Sequence, residues 1–372
     1  MKHIGKSYDK VDAKGILSGK PSYTGDFVPK DALIIKVLRS PHAQAKIKSI
    51  DTSKAKLIPG VEAIFTYEDV PNTRFTLAGQ TYPEPSAYDA LILDPVVRYV
   101  GDEVALVVAK DEATALKAMP LIKVEYEVQK PVLDLRTAMD HETVVHPEDD
   151  ILNHIPVGQD YKRNICVSYH KRVGDIEGEL AKCDYVVEGT YFDQATRQSA
   201  MEPFQSFGYI DHLGRIVIVS STQIVFHVRR HIARALGIPA SKIRVIKPRI
   251  GGGFGSKQTA CTELMTAFVT WKLQKPCYLL YDRTEAQTCS TTRHAREWYI
   301  RVGATKDGII QVIDMDSITD AGAHATHCFT TTTAGEHKSV PLYNKAKAVH
   351  YGTEGVYTVS YTHLTLPTKR IV

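Results

Sequence analysis

An α+β chain in two parts is predicted, on three observations. Short β-type runs alternate with turns and one helix up to about residue 130; a stretch of mixed polarity follows; and farther on a glycine-rich loop stands between a strand and a helix. With 372 residues the chain also exceeds the ~250 residues beyond which single cores rarely grow.

In the first part, residues 14–130, Leu33 to Arg39 reads as a strand, and Val61 to Thr66 as another after the Pro59-Gly60 turn. Val104 to Ala109 is a third, apolar throughout and suited to burial on both faces. Asp111 to Met119 reads as a helix, with Asp111 as N-cap and Glu112 near its positive end. Ile122 to Tyr126 returns to strand. Residues 131–156, with Pro147 and several acids, read as a linker between two domains.

In the second part, residues 157–358, Tyr185 to Phe192 and Phe207 to Ile210 read as strands. A turn at Asp211-His212-Leu213-Gly214 leads into the strand Arg215 to Ser220. Gln223 to Leu236 carries Ile224, Val228, Ile232 and Leu236 on one helical face, and Gly237 then Pro239 stop it. Ile243 to Ile246 is a strand, Gly251 to Ser256 a loop and Thr262 to Leu273 a helix. Asp307-Gly308 is a hairpin signal between Trp298–Ala304 and Ile309–Thr319. Residues 359–372 change in character, resemble translated sequencing-adapter read-through, and are set aside as a non-native tail.

The composition, 43% hydrophobic and 24% charged, is that of a globular protein. The net charge of +4 is spread along the chain, whereas a nucleic-acid surface concentrates its cations. The densest group, Arg229, Arg230, His231 and Arg234, reads as the solvated face of its helix. The six cysteines form no CxxC pair and no metal-ligand spacing. No signal peptide or membrane-spanning run is found. A cytoplasmic chain with inert, buried thiols is therefore expected, with no nucleic-acid or membrane partner.

Chemistry concentrates in Arg249-Ile250-Gly251-Gly252-Gly253-Phe254-Gly255-Ser256-Lys257. Glycines let backbone N–H groups approach an anion closely, so phosphate or oxo-anion binding is suggested. A Rossmann GxGxxG would need glycine at Ser256 or Gln258, and a Walker loop needs Gly-Lys-Ser/Thr, so both templates fail. One strand-and-helix unit earlier, Ser221-Thr222-Gln223 ends a strand. The Gln223 amide offers donor and acceptor to an oxo ligand, and Thr222 is placed to cap the helix.

Together, the run SSTQIVFHVRRHIARALGIPASKIRVIKPRIGGGFGSKQ is similar to the xanthine dehydrogenase and aldehyde oxidase family of molybdenum hydroxylases. So are Arg39-Ser40-Pro41-His42-Ala43, Leu57-Ile58-Pro59-Gly60-Val61, Val100-Gly101-Asp102-Glu103-Val104-Ala105, Met201-Glu202-Pro203 and Asp320-Ala321-Gly322-Ala323. The chain most resembles the N-terminal portion of bacterial xanthine dehydrogenase molybdenum-binding subunits.

The resemblance implies an α/β hammerhead domain followed by the first part of a molybdopterin-binding domain. It implies a molybdenum–molybdopterin cofactor, in the cytosine dinucleotide form, near Gln223, Gly253, Phe254 and Gly255, with Gln223 and Phe254 closest to the metal. Met201, Glu202 and Pro203 would fall in a cofactor-proximal strand. It further implies FAD-binding and iron–sulfur ([2Fe–2S]) partner subunits, and a reaction that hydroxylates an electron-poor carbon with oxygen from water. The family's glutamate base stands in a Gly-Glu-Pro context that is absent here, and an R-G-x-G loop expected just after Tyr357 is absent too. No turnover is expected from this polypeptide by itself. Gln258 and Ala334 occupy the positions where purine-hydroxylating animal members carry glutamate and arginine. Xanthine or hypoxanthine remains the first expected substrate, with Gln258 contacting it; an aldehyde, nicotinate or another N-heterocycle, and a non-catalytic assembly role, remain alternatives.

Overall fold

The computed structural model describes residues 3–20, 22–334 and 345–359. The first half contributes strands β1 (Leu33–Arg39), β2 (Ala45–Asp51), β3 (Val61–Phe65), β4 (Val96–Val97), β5 (Glu103–Ala109) and β6 (Lys123–Val128). The second contributes β7 (Ile165–Val173), β8 (Tyr185–Asp193), β9 (Gln205–Ile210), β10 (Ile216–Ser220), β11 (Ile243–Ile246), β12 (Cys277–Leu280), β13 (Arg296–Ala304), β14 (Ile310–Gly322) and β15 (Ala348–Tyr357).

These strands form a seven-stranded sheet ordered β11-β10-β9-β12-β1-β5-β3, a five-stranded sheet ordered β7-β15-β14-β13-β8, and a three-stranded sheet ordered β4-β2-β6. The seven-stranded sheet draws on both halves of the sequence. Its seam is the parallel pairing of β1 with β12, Leu33 opposite Cys277. The apolar run of β5 lies between β1 and β3 and is buried from Val104 to Ala109, as a strand covered on both faces must be.

Local signals set the helices. The Asp111 carboxylate accepts from Thr114 N at 2.7 Å and starts the helix Glu112–Ala118. The helix Val225–Leu236 buries Val228, Ile232 and Leu236, and Gly237 ends it in the left-handed region (φ 65°). Its N-cap position falls to Ile224, so Thr222 is not the cap; the Thr222 hydroxyl instead accepts from Ile224 N at 3.1 Å. The Asp307-Gly308 turn joins β13 to β14, which pair antiparallel.

One core spans both halves: Ile35, Val37, Leu106 and Val108 pack with Ile218, Ile232, Phe268 and Leu279. Residues 131–156, whose polarity reads as a linker, supply buried Val132, Leu135, Ala138 and Val145 to a second core with Val167 and Tyr357. Val359, read as the start of the tail, is buried and donates to Val132 O at 2.7 Å. Residues 360–372, and with them the rest of the tail, lie outside the described residues.

The arginine-rich group on the helix Val225–Leu236 is not a solvated face. His231 is buried. Arg234 Nε donates to Arg74 O at 2.6 Å, and its guanidinium lies 4.4 Å from the Tyr88 ring centroid. Arg230 donates to Glu84 at 3.1 Å and covers the Tyr82 ring. Residues 74–88 cross this helix face and bring acceptors and rings that a reading of the helix by itself does not contain. All six cysteines are free thiols. Among the described residues no helix is long and apolar enough to cross a membrane.

Candidate cofactor and substrate site

β10 and β11 are parallel neighbours, Ile216 opposite Ile243. Their C-terminal ends therefore emerge at the same edge of the sheet, where the turn carrying Gln223 meets the glycine loop, and such edges are where open α/β sheets bind ligands. Gln223 N donates to Lys257 O at 2.8 Å. A Cβ on Gly253 would stand 2.5 Å from Gln223 Oε1, so any larger residue there would push the Gln223 amide away from the loop.

The loop is bent by Gly252 (φ 101°), Phe254 (φ 49°) and Gly255 (φ 94°). Phe254 takes a backbone conformation uncommon for a residue with a side chain, and that side chain is 68% exposed. Among the described residues the N–H groups of Gly253, Phe254 and Gly255 have no hydrogen-bond partner. Three unpaired amides on a loop bent through the left-handed region at Gly252, Phe254 and Gly255 make a cradle for anionic or oxo groups.

Glu202 holds this loop. Its Oε2 accepts from Gly251 N (2.6 Å), Ser221 Oγ (2.8 Å) and Lys257 Nζ (3.1 Å), and its Oε1 accepts from Gln205 Nε2 (2.7 Å). Lys257 is buried, and burial lowers its pKa against the opposing pull of Glu202. Met201, Glu202 and Pro203 lie in the bend before β9 rather than in a strand, because Glu202 must reach sideways to the loop. The sequence motif contained this residue but not its role as the anchor.

Next to the loop is a cavity of about 430 Å³, lined by Phe254, Gly255, Gln258, Arg293, Arg296 and His327 among others and by no carboxylate. Burial, with smaller contributions from His294, His227 and His231, pushes the His327 pKa down to about 4. His327 Nδ1 lies 3.3 Å from Thr259 Oγ1, and Gly79 N donates to Nε2. His294 Nδ1 bonds Asp320 O at 2.7 Å. The structure thus joins Gln223 to Gly253, and Gln258 to Phe254 and Gly255. Gln223 itself is exposed beside the loop and does not line the cavity. Ala334 ends the described part of the helix 328–334. The cationic wall was overlooked in the sequence, although Arg293-His294-Ala295-Arg296 was there as a signal.

Residues 18–130 match the aldehyde oxidase and xanthine dehydrogenase a/b hammerhead domain, and residues 157–363 the molybdopterin cofactor-binding domain. A probable hypoxanthine oxidase of Escherichia coli is 38% identical over 364 residues, which cover 91% of this chain and 38% of that protein. The nicotinate dehydrogenase large molybdopterin subunit of Eubacterium barkeri is 31% identical over 326 residues, covering 87% of this chain and 72% of the relative. Aldehyde oxidoreductase from Desulfovibrio gigas shares the fold, with a TM-score of 0.84 at 24% identity over 96% of this chain and 39% of that one. The chain spans well under half the length of the Escherichia coli relative. With both domain matches in chain order around the loop described above, the chain belongs to the xanthine dehydrogenase and aldehyde oxidase family of molybdenum hydroxylases.

Proposed function

We propose that the chain is the N-terminal portion of a molybdenum-binding subunit that hydroxylates xanthine, hypoxanthine or a related N-heterocycle with oxygen from water. The observation that carries this reading is the trio of unpaired amides at Gly253, Phe254 and Gly255, with Gln223 packed against Gly253. This donor set fits an oxo-bearing, anionic cofactor. When bound, the molybdenum–molybdopterin group, in its cytosine dinucleotide form, would supply the two-electron redox chemistry.

The chain's own residues position and select. Gln223 offers an amide donor to an oxo group, and the loop amides at Phe254 and Gly255 orient the cofactor. Gln258, on the cavity wall, can donate to or accept from a ring nitrogen or carbonyl but adds no charge. Glu202 and Lys257 hold the loop in shape. Electrons leave through FAD-binding and [2Fe–2S] partner subunits in a cytoplasmic heteromer, a setting that suits six free thiols. The resemblance implies a base in a Gly-Glu-Pro context that these 372 residues do not contain; no turnover is expected from them by themselves, and measurable xanthine hydroxylation would refute that.

The test is molybdenum content and xanthine oxidation of the full-length subunit assembled with its partners. Molybdenum bound by the parent and lost in Gln223→Ala and Gly253→Ala supports the reading. Metal content unchanged in both variants refutes the site, and an absence of molybdenum from the assembled parent favours a non-catalytic assembly role. A second reading, a carboxylated heterocycle such as nicotinate, is favoured by the carboxylate-free wall with Arg293 and Arg296. A higher kcat/KM for nicotinate than for hypoxanthine would select it.

A further inference from the structure

Away from the glycine loop, Asp89, His146 and His324 converge from three separate segments. One ligand atom of each lies within 4.8 Å of the other two. Asp89 and His146 are 1% and 0% exposed. Asp89 Oδ2 accepts from Ala325 N (2.7 Å) and Tyr357 Oη (3.0 Å). Asp89 Oδ1, His146 Nδ1 and His324 Nδ1 have no hydrogen-bond partner among the described residues. Their nearest polar neighbours are long contacts, Asp89 Oδ1 to His324 Nδ1 at 3.4 Å and His146 Nδ1 to Glu148 at 3.5 Å, where buried polar atoms are ordinarily closely paired. His324 Nδ1 and Asp89 Oδ1 stand 3.4 Å apart, close to the separation of two ligands that each lie about 2.0–2.1 Å from a tetrahedral ion.

The surrounding charge points the same way. Asp94, Asp102 and Glu148 gather with Asp89 around Arg98 and Arg74: Arg98 Nη1 pairs with Asp94 at 2.8 Å and Arg98 N donates to Asp102, while Arg74 lies 3.9 Å from Asp94 and 3.8 Å from Glu148. Arg98 also pairs with Glu148. Asp150 adds a further carboxylate on Arg74 at 2.7 Å, so carboxylates outnumber the guanidiniums, an excess that a dication or a protonated His324 would offset. His146 is already oriented: Nε2 bonds Ala323 O at 2.7 Å and Nδ1 faces Glu148 at 3.5 Å. Whichever nitrogen turns to an ion, the other keeps an acceptor for its proton, as metal-binding imidazoles require.

We propose that Asp89, His146 and His324 bind a divalent transition-metal ion of the zinc class. Two imidazoles and a carboxylate are a donor set that suits zinc. The ion would tie the turn at His324 to residues 84–90 and 141–148. Thr326 and His327, on that same turn, line the cavity beside the glycine loop, so the ion would stiffen one wall of it. Two other histidine groups serve as controls. In Glu84–His227–His231, Arg230 already places a cation 2.7 Å from His227, and His170–Asp316–His350 is exposed.

The experiment uses the whole chain, stripped with chelator, dialysed and titrated with Zn²⁺ alone or Co²⁺ alone. The expected result is about one ion per chain, with X-ray absorption showing two imidazoles, oxygen and no sulfur. Affinity should fall by about tenfold or more in His146→Gln and His324→Gln, and stay unchanged in His170→Gln and His227→Gln. No ion retained by the parent would mean that protons offset the excess charge and would overturn the proposal. So would sulfur ligation, or loss of the ion in the His170 or His227 variant. If the His146 and His324 variants do not fold, the absorption spectrum of the parent and of the exposed His170→Gln variant decides.

Discussion

Glu202 shows how much one side chain can organise: it joins β9, the turn before Gln223 and the glycine loop through bonds to Gln205, Ser221, Gly251 and Lys257. Removing it takes the counter-charge from the buried Lys257 ammonium, which then keeps the residue-202 carbonyl at 2.9 Å, so Glu202→Ala should cost about 3 kcal/mol in urea unfolding. A loss below about 1 kcal/mol would show that the loop does not depend on it. Gly253→Ala acts differently. Its Cβ meets the movable tip of Gln223, so stability should change little while molybdenum affinity of the full-length subunit falls about tenfold or more. His327 makes stability depend on pH. Its folded-state pKa, about 4 against an ordinary 6.5, means that the unfolded chain binds more protons between those values. The stability it contributes is fully present above pH 6.5 and is lost as pH falls toward 4, with a slope of up to about 1.4 kcal/mol per pH unit. Unfolding midpoints from pH 7.5 to 5 should therefore drop more for the parent than for His327→Gln.

At the scale of elements, the helix Val225–Leu236 uses both faces. Its apolar face is in the core, and its basic face is covered by residues 74–88 through Arg230, His231 and Arg234. Arg234→Ala should thus cost roughly 1–2 kcal/mol, the worth of a hydrogen bond plus a cation–π contact, where a solvated arginine would cost almost nothing. Chemical denaturation of the two proteins decides between these. The helix was legible from its period and its Gly237 stop, because both are local. The covering segment was not, because it comes from about 150 residues earlier; Arg74 O and Arg234 are separated by 160 positions.

For the whole molecule, the seven-stranded sheet makes the two halves one cooperative unit. β1 lies between β5 of the first half and β12 of the second. Across that seam Arg39 pairs with Glu103 and Glu285, both at 3.1 Å, and stacks 4.5 Å from the Tyr281 centroid. Calorimetry of the chain should show a single transition, and Arg39→Ala should lower it as a whole, by about 1.5–3 kcal/mol, since it removes charged hydrogen bonds from the half-buried Glu103 and Glu285, the latter keeping Lys36 at 3.2 Å. Two separate transitions, only one of them shifted, would mean that the halves fold independently.

The sequence by itself determined what depends on neighbours along the chain. Strand and helix periods, the Asp111 cap, the Gly237 stop and the glycine-loop composition are local, and so is the strand-turn-helix setting of Gln223. That setting was enough to bring Gln223 and Gly253 to one site, since consecutive parallel strands end at a common edge. Only the tertiary structure decided which distant groups complete that site: Glu202 reaching Gly251 across 49 positions, and Arg293, Arg296 and His327 lining the cavity with Gln258. The physical reason is that such contacts follow from sheet order and register, which depend on packing across the whole chain and leave no period or spacing in the sequence to read.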